Sequence, residues 1–121
     1  MVLVDTSVWI DHFRSGHNQL SELLRRGIVV THPFIIGELA CGNLKNRKEI
    51  MSLLNALPKA NGAINEEVLF FINKNHLFGK GLGLIDMHLL ASAIISKISL
   101  WTVDARLKAV AAAFKLTYHY D

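Results

Sequence analysis

Cysteine is almost absent from this sequence, since the only one is Cys41. A single thiol cannot form an intrachain disulfide, so we expect the chain to work in a reducing compartment. Cys41 ends the apolar stretch Ile35–Cys41, where a small buried side chain is expected. A membrane-spanning run is also lacking, because the most apolar stretch, Leu84–Val103, contains Asp86 and Lys97. These absences predict a cytoplasmic protein.

No linker rich in glycine or serine and no internal repeat is visible in the sequence. The first ten residues have no basic start and carry Asp5 within their apolar run, so we expect no secretory signal. What is present is a chain of 121 residues, 51% hydrophobic and 19% charged, a balance typical of a compact globule with one core. We therefore expect a single domain over residues 1–121. The net charge of +3 mildly favours a polyanionic partner.

Short apolar runs alternate with segments of helical periodicity along the chain. The runs predict strands at Val2–Val4, Ile28–Thr31, Leu100–Val103 and Leu116–Tyr120. The periodic segments predict helices after Asp5, around Leu20–Leu24, from Pro33 towards Gly42, over Arg47–Leu57, from Asn65 to near Gly79, over Leu84–Ser96 and over Ala105–Phe114. Strands joined through helices form right-handed crossovers, so the predicted class is α/β, with a short parallel sheet covered by helices on both faces.

Four acidic residues lie in apolar surroundings, where an unpaired carboxylate is costly to bury. They are Asp5, Glu38, Asp86 and Asp104, and we expect each to be at least partly buried. Asp5 and Asp104 follow predicted strands, at the edge where open parallel sheets bind ligands. Helix capping is an equal explanation for each Asp considered alone. Capping does not explain Glu38, which is expected in mid-helix with no basic residue three or four positions away. The alternatives for Glu38 are a buried, hydrogen-bonded side chain or a position on an exposed edge of its helix.

Convergence of these acids has an electrostatic consequence. Each like-charge pair at a separation of about 4 Å costs about 1 to 4 kcal/mol. Summed over all pairs, this cost rivals the net stability of a domain, about 5 to 15 kcal/mol. Such a cluster must therefore spread apart, take up protons or bind divalent cations. Ligands that are all carboxylate oxygens favour Mg²⁺ or Mn²⁺ over zinc.

Short motifs surround the four acids: Val4-Asp5-Thr6-Ser7-Val8-Trp9, Gly37-Glu38-Leu39, Ile85-Asp86, Leu90-Ala91-Ser92-Ala93 and Thr102-Val103-Asp104. In this order and spacing they resemble the PIN domain family, and within it the VapC-type toxins of bacterial toxin–antitoxin pairs. The resemblance extends over essentially the whole chain. It implies a three-layer α/β/α sandwich and a cytoplasmic endoribonuclease that depends on Mg²⁺ or Mn²⁺ and leaves 5′-phosphate and 3′-hydroxyl ends. It further implies an RNA substrate, a homodimer and a small antitoxin protein as inhibitor.

Carried over position by position, the resemblance makes the four acids the catalytic residues and metal ligands. Ser7 and Thr102 match accompanying positions, where a hydroxyl can orient the carboxylates. Thr6 also matches, but we favour helix capping for it. An RNA strand that approaches an acidic centre needs basic groups around the rim of the site. The candidates for this rim are Arg14, Lys45, Arg47, Lys48 and Lys80.

Other interpretations stay open. His12, His32 and His88 lie near the motifs, and we favour core packing or surface polarity for them over a general-base role, which a metal mechanism does not require. Gly79-Lys80-Gly81 is expected to form a tight turn and not a phosphate loop. A haloacid-dehalogenase-like phosphatase would have a second Asp where this chain has Ser7. The main alternative function is a non-catalytic RNA-binding or regulatory PIN-like module whose carboxylates are structural.

Overall fold

The computed structural model describes residues 1–119 and is built on a three-stranded parallel sheet. The strands are β1 (Val2–Val4), β2 (Val29–Val30) and β3 (Ser99–Trp101), in the order β2-β1-β3. Val2 is the partner of Val29 on one side and of Ser99 on the other. Every strand residue except Ser99 is buried, as expected for a sheet that is covered on both faces.

Helices connect the strands. Within residues 1–119 they are α1 (Thr6–Ser15), α2 (Asn18–Arg25), α3 (Pro33–Ala40), α4 (Arg47–Ala56), α5 (Asn65–Lys74), α6 (Leu84–Ser96) and α7 (Ala105–Ala113). The chain passes from β1 to β2 through α1 and α2, and then returns past β1 to β3 through α3 to α6. Right-handed crossovers that run in opposite directions lie on opposite faces of a sheet. The predicted α/β class is confirmed.

The helix bounds agree with the predictions to within two residues, except at the end of α5. The bounds of α6 are as predicted, and α4 and α7 each end one residue earlier than predicted. α5 ends at Lys74, so the predicted end near Gly79 is wrong. The helix stops because His76 has a left-handed φ of 53°, and the Leu77 amide donates to the carbonyl of Ile72 at 3.0 Å. Leu77 is only 4% exposed, and its burial stabilises this turn.

The last predicted strand, Leu116–Tyr120, is wrong in its extent. Thr117 forms an isolated bridge with Leu100, through the Leu100 amide to Leu116 and the Tyr118 amide to Leu100. No regular strand forms over residues 116–119, because the tail meets the three-residue β3 at one position only. Tyr120 lies outside the described residues.

The core packs around the sheet, and its largest fully buried side chains include Trp9, Leu23, Leu54 and Leu89. Cys41 is exposed, so the prediction that it is buried is wrong. It is the C-cap residue of α3, and the chain from residue 41 to residue 43 faces solvent. The longest described helix, α6, has 13 residues. Among residues 1–119, no helix has both the length and the apolarity to cross a membrane.

Candidate active site

The four acids come from four different elements of the fold. Asp5 directly follows β1, and Asp104 comes shortly after β3. The connection between strands changes direction at β1, and open sheets of this kind bind ligands in the crevice at such a point. Glu38 lies in α3, which follows β2, and Asp86 lies in the first turn of α6. The topology thus brings Asp5 and Asp104 to neighbouring positions at the carboxyl edge of the sheet.

Asp5 is held by two hydroxyl groups. Its Oδ2 accepts a hydrogen bond from Ser7 Oγ at 2.7 Å and from Thr102 Oγ1 at 2.8 Å. The side chain is 6% exposed and makes no capping hydrogen bond to α1. The Asp5 amide donates to the carbonyl of Trp101 at 2.9 Å, which fixes the residue beside the end of β3. Helix capping therefore does not account for Asp5, although it was an equal explanation from the sequence.

Ser7 and Thr102 also organise the loop that carries Asp104. Thr102 Oγ1 accepts from the Asp104 amide at 3.0 Å, and Ser7 Oγ accepts from the Val103 amide at 3.2 Å. These amides bond to hydroxyls instead of to a neighbouring strand, so β3 ends at Trp101 and not at Val103 as predicted. A hydroxyl that orients a carboxylate makes contacts of this kind, and the orienting role of Ser7 and Thr102 stays a prediction.

Asp104 and Asp86 both make helix-terminal hydrogen bonds. Asp104 Oδ1 accepts from the amides of Arg106 at 2.9 Å and Leu107 at 3.2 Å, as an N-cap residue does. Asp86 Oδ2 accepts from the Gly83 amide at 3.2 Å at the start of α6. For these two residues the capping interpretation is correct. It leaves the second carboxylate oxygen of each residue free for another role.

Glu38 is exposed on α3, and its Oε1 accepts a hydrogen bond from Thr6 Oγ1 at 2.8 Å. The predicted partial burial is therefore wrong for Glu38, and it is also wrong for the exposed Asp104. Its apolar neighbours Ile35 and Leu39 are buried, so the core-facing side of α3 lies next to Glu38 and does not include it. The capping role that we favoured for Thr6 is wrong as well, because its hydroxyl donates to a side chain 32 residues away.

Each of the four carboxylates is anchored through one oxygen and not through the other. The anchored atoms are Asp5 Oδ2, Glu38 Oε1, Asp86 Oδ2 and Asp104 Oδ1. Within residues 1–119, the second oxygen of each residue accepts no hydrogen bond from the protein. Four oriented carboxylates, each with one unused oxygen, suit the binding of a cation.

The negative charge of the acids is not neutralised by nearby cations. Among the described residues, the one ion pair joins Arg25 to Glu22, away from these acids. Burial raises the pKa of Asp86, the Gly83 amide opposes the rise, and the other three acids add to it. The other three acids therefore lie within electrostatic reach of Asp86. An excess of carboxylate charge of this kind favours a divalent cation.

The other three acids act electrostatically on Asp86, but the four carboxylates do not surround a common point within the described residues. In the part of the chain that the structure describes, no three Asp, Glu, His or Cys side chains are close enough together to hold one ion. The donor set is nevertheless entirely oxygen, which fits Mg²⁺ or Mn²⁺ by ligand type. The residues present therefore fit such an ion in the chemistry of their ligand atoms.

The family model that matches this sequence is described as "PIN domain", and it covers residues 2–113. The chain belongs to the PIN domain family. Two curated relatives, both named "Ribonuclease VapC32", come from two strains of Mycobacterium tuberculosis. Each is 43% identical over 113 residues, which is 93% of this PIN domain chain and 91% of the relative.

One solved structure similar to this PIN domain is the crystal structure of PAE2754 from Pyrobaculum aerophilum. The TM-score is 0.62, with 18% sequence identity over 89% of this chain and 84% of that one. At this level of identity, the similarity supports the fold alone.

The three histidines near the motifs make local contacts and do not touch the acids. His12 Nδ1 accepts from the His17 amide at 3.0 Å, and His32 Nδ1 accepts from the Phe34 amide at 2.9 Å. His88 Nε2 lies 3.2 Å from Asn65 Oδ1. Burial lowers the pKa of all three, and neighbouring His88 lowers that of His32 further. These contacts agree with the predicted packing roles.

Two of the predicted rim residues, Arg14 and Lys45, line a cleft that also includes Glu38. The cleft has a volume of about 630 Å³ and apolar walls that include Ile10 and Phe13. Cationic groups beside an apolar wall suit a strand that presents both phosphates and bases.

The other three rim residues differ in their surroundings. Arg47 donates to the carbonyls of Ala40 at 2.7 Å and Gly42 at 3.2 Å. Its guanidinium is therefore already hydrogen-bonded to the C-terminal end of α3. Lys48 is exposed on α4. Lys80 lines a second cleft, which it shares with Arg106. Arg106 was not among the predicted rim residues. One sequence feature could have identified Arg106 as a functional residue. It is a cation in the first turn of a predicted helix, where the helix dipole disfavours positive charge.

Proposed function

We propose that this PIN domain, comprising residues 1–121 as one nuclease domain, is a metal-dependent endoribonuclease and the toxin of a toxin–antitoxin pair. The observation that carries the proposal is the state of the four acids. Each is anchored through one carboxylate oxygen, keeps the other unbonded within the described residues, and has no cation at ion-pair distance there. The 43% identity to relatives named as ribonucleases supports RNA as the substrate.

Asp5, Glu38, Asp86 and Asp104 would hold Mg²⁺ or Mn²⁺ through their unbonded oxygens. When bound, such a cation stabilises negative charge on the phosphate and lowers the pKa of water. The contribution of the protein is to keep the carboxylates in place. Ser7 and Thr102 fix the plane of the Asp5 carboxylate, and Thr6 fixes that of Glu38.

The reaction is hydrolysis of a phosphodiester bond in RNA. Water attacks phosphorus in line with the leaving 3′ oxygen, the bond to that oxygen breaks, and the proton from water is delivered to it. The products carry a 5′-phosphate and a 3′-hydroxyl. Because the acids repel the phosphate backbone, the substrate must be attracted by basic groups around the site, of which Arg14 and Lys45 border Glu38.

A second copy of the chain and an antitoxin protein are the proposed partners, and the proposed location is the cytoplasm. The support for a protein partner is an exposed apolar surface on α5 and α6. Phe70 is 66% exposed, and Leu69 and Ile95 are also exposed. Exposed side chains of this size are typical of an interface when they lie together.

The test is cleavage of single-stranded RNA by the purified protein with Mg²⁺, with Mn²⁺ and with EDTA. We expect cleavage with either ion and none with EDTA. The substitutions Asp5→Asn and Glu38→Gln should each reduce the rate at least about a hundredfold, more than the loss of a supporting residue costs.

Exposed acids outside the proposed site provide matched controls. Asp11→Asn removes an exposed acid from α1, and Glu49→Gln removes one from α4. Both should cleave at the wild-type rate. Cleavage in EDTA, or equal rates for Asp5→Asn and Asp11→Asn, would contradict the proposal. RNA binding with no cleavage under any condition would instead support the non-catalytic module.

A further inference from the structure

The guanidinium of Arg106 lies against the turn that leads into α6. A Cβ atom built on Gly81 would be 2.9 Å from Arg106 Nη1 and 3.1 Å from Cδ. Gly81 has a φ of +79°, a conformation that side chains rarely adopt, so the backbone favours glycine here, and a Cβ atom would displace the flexible end of Arg106. Since Arg106 is two residues after Asp104, and Gly81 precedes Asp86 by five, the contact joins the segments that carry these two acids.

The position of Arg106 is electrostatically unfavourable for α7 itself. It is the second residue of the helix, where the positive end of the helix dipole disfavours a cation. No carboxylate lies within ion-pair distance of it in residues 1–119, and its guanidinium donates no hydrogen bond there. An exposed arginine with unused donors, held by packing against a glycine, is well suited to bind a phosphate bidentately.

Arg106 lines a cleft that extends along α7, away from Asp104. The cleft has a volume of about 580 Å³ and includes Lys80, Asn75 and, at the far end of α7, Phe114. One end of the cleft is therefore lined by Arg106, two residues after Asp104, and the cleft combines two cations with an apolar wall. This combination suits the backbone and bases of a single strand.

The two basic clefts lie on opposite flanks of the acids. The cleft with Arg14 and Lys45 includes Glu38, which follows β2, whereas Arg106 follows Asp104 and β3. Strands β2 and β3 are on opposite sides of β1, which ends at Asp5. A strand of RNA that crosses the acids can therefore occupy both clefts.

We propose that Arg106 is a substrate-binding residue, which holds a phosphate of single-stranded RNA on the β3 side of the acids, with Lys80 further along the same cleft. This inference deepens the proposed ribonuclease function and rests on it. The prediction is a phosphate contact made by one residue, and such a contact has a measurable signature. Each phosphate contact to a single strand contributes a slope of about 0.7 to the dependence of log K on log salt concentration.

The experiment measures RNA affinity against salt concentration in an Asp86→Asn background, which prevents turnover. The probe is a short, fluorescein-labelled single-stranded RNA that the wild-type protein cleaves. We expect Arg106→Ala to weaken binding about tenfold at 0.1 M salt, because a charge-assisted contact is lost. The salt slope should fall by about 0.7. Arg106→Lys should restore the slope and only part of the affinity, since lysine keeps the charge but not the bidentate geometry.

Lys108→Ala is the matched control. Lys108 is exposed on the same helix, two residues further on and about 200° around its axis. The substitution Lys108→Ala removes the same charge as Arg106→Ala and should leave the slope of log K against log salt concentration unchanged. Equal slopes for Arg106→Ala and Lys108→Ala would overturn the inference.

A Mn²⁺ titration of Arg106→Ala, with Asp86 intact, separates RNA binding from a merely structural role. Uptake of Mn²⁺ as strong as in the wild type supports the phosphate contact, and a loss equal to the loss of RNA affinity would contradict it. If the wild-type protein binds RNA without cleaving it, the proposed function fails, and the salt slope of a bound RNA still decides the role of Arg106.

Discussion

Replacing Asp86 by asparagine is expected to stabilise the protein when divalent ions are absent, although it removes a proposed catalytic residue. Burial and three neighbouring acids raise the pKa of Asp86, so its ionised form is less stable in the folded protein than in the unfolded one. The loss of stability caused by the ionised carboxylate is fully present at neutral pH. It declines as the pH falls towards 3.8, the pKa of a free Asp side chain. Asparagine removes the charge and keeps an oxygen that can accept from the Gly83 amide.

The magnitude follows from the partial exposure of Asp86. Relief of charge repulsion at a surface commonly stabilises a protein by about 0.5 to 2 kcal/mol. Solvent screens the interactions of this partly exposed group, so we expect a gain of about 1 kcal/mol. With an unfolding entropy of about 2.1 cal/mol/K per residue, 1 kcal/mol raises the Tm of a chain of 121 residues by about 4 °C.

The assay is thermal unfolding of wild type and Asp86→Asn, first in EDTA and then in MnCl₂. The variant should melt higher in EDTA. In Mn²⁺ at a hundred times its Kd, the wild type should gain about 2.7 kcal/mol, or about 10 °C, and the variant much less. Asp86→Ala, which also loses the acceptor for Gly83, should show no net gain in EDTA. Equal gains from Mn²⁺ in wild type and Asp86→Asn, or a lower Tm for Asp86→Asn in EDTA, would refute the reasoning.

Three further predictions concern the surrounding residues. Thr102→Val should lower the cleavage rate about 10- to 100-fold and the free energy of unfolding by about 1 to 3 kcal/mol, because Asp5 and the Asp104 amide lose their hydrogen-bond partner. The control is Thr31→Val: Thr31 is 0% exposed and its hydroxyl makes no hydrogen bond in the described residues, so urea unfolding should show no destabilisation of the protein. Burial lowers the pKa of His32, so the free energy of unfolding should be at its full value above about pH 6.5 and decline as the pH falls below it. His32→Asn keeps an acceptor for the Phe34 amide and should reduce that decline, measured by urea unfolding at pH 5 and pH 7.5 in EDTA; an unchanged decline would exclude His32 as its source. Phe70→Glu should convert a dimer to a folded monomer in light scattering, and a dimer that persists would place the interface elsewhere.

The features of the fold that local patterns determine were predictable from the sequence. The thirteen residues of α6 begin after Gly83 and form one apolar run, and their bounds were predicted correctly. The end of α5 was missed because it depends on where Leu77 finds a buried position, which is a tertiary contact. The end of β3 was missed for a similar reason. The hydroxyls of Ser7 and Thr102, far apart in the sequence, take the amides that would have continued the strand.

The positions of the acids were predictable, but their environments were not. Asp5 and Asp104 follow strands, and that alone directs both to one edge of the sheet. The predicted partial burial of Glu38 was wrong, because an apolar neighbourhood in the sequence does not reveal which side of a helix faces solvent. The hydrogen bond from Thr6 to Glu38 and the contact of Arg106 with Gly81 join distant segments. No local pattern encodes either of them.

The most direct test of the account is a calorimetric titration of the apo protein with Mn²⁺, repeated for the four variants Asp5→Asn, Glu38→Gln, Asp86→Asn and Asp104→Asn, with Asp11→Asn as the control. The account predicts saturable uptake by the wild type and by the control, and weaker uptake by each of the four variants. No uptake by the wild type, or uptake that none of the four substitutions weakens, would contradict the claim that these carboxylates bind divalent ions together.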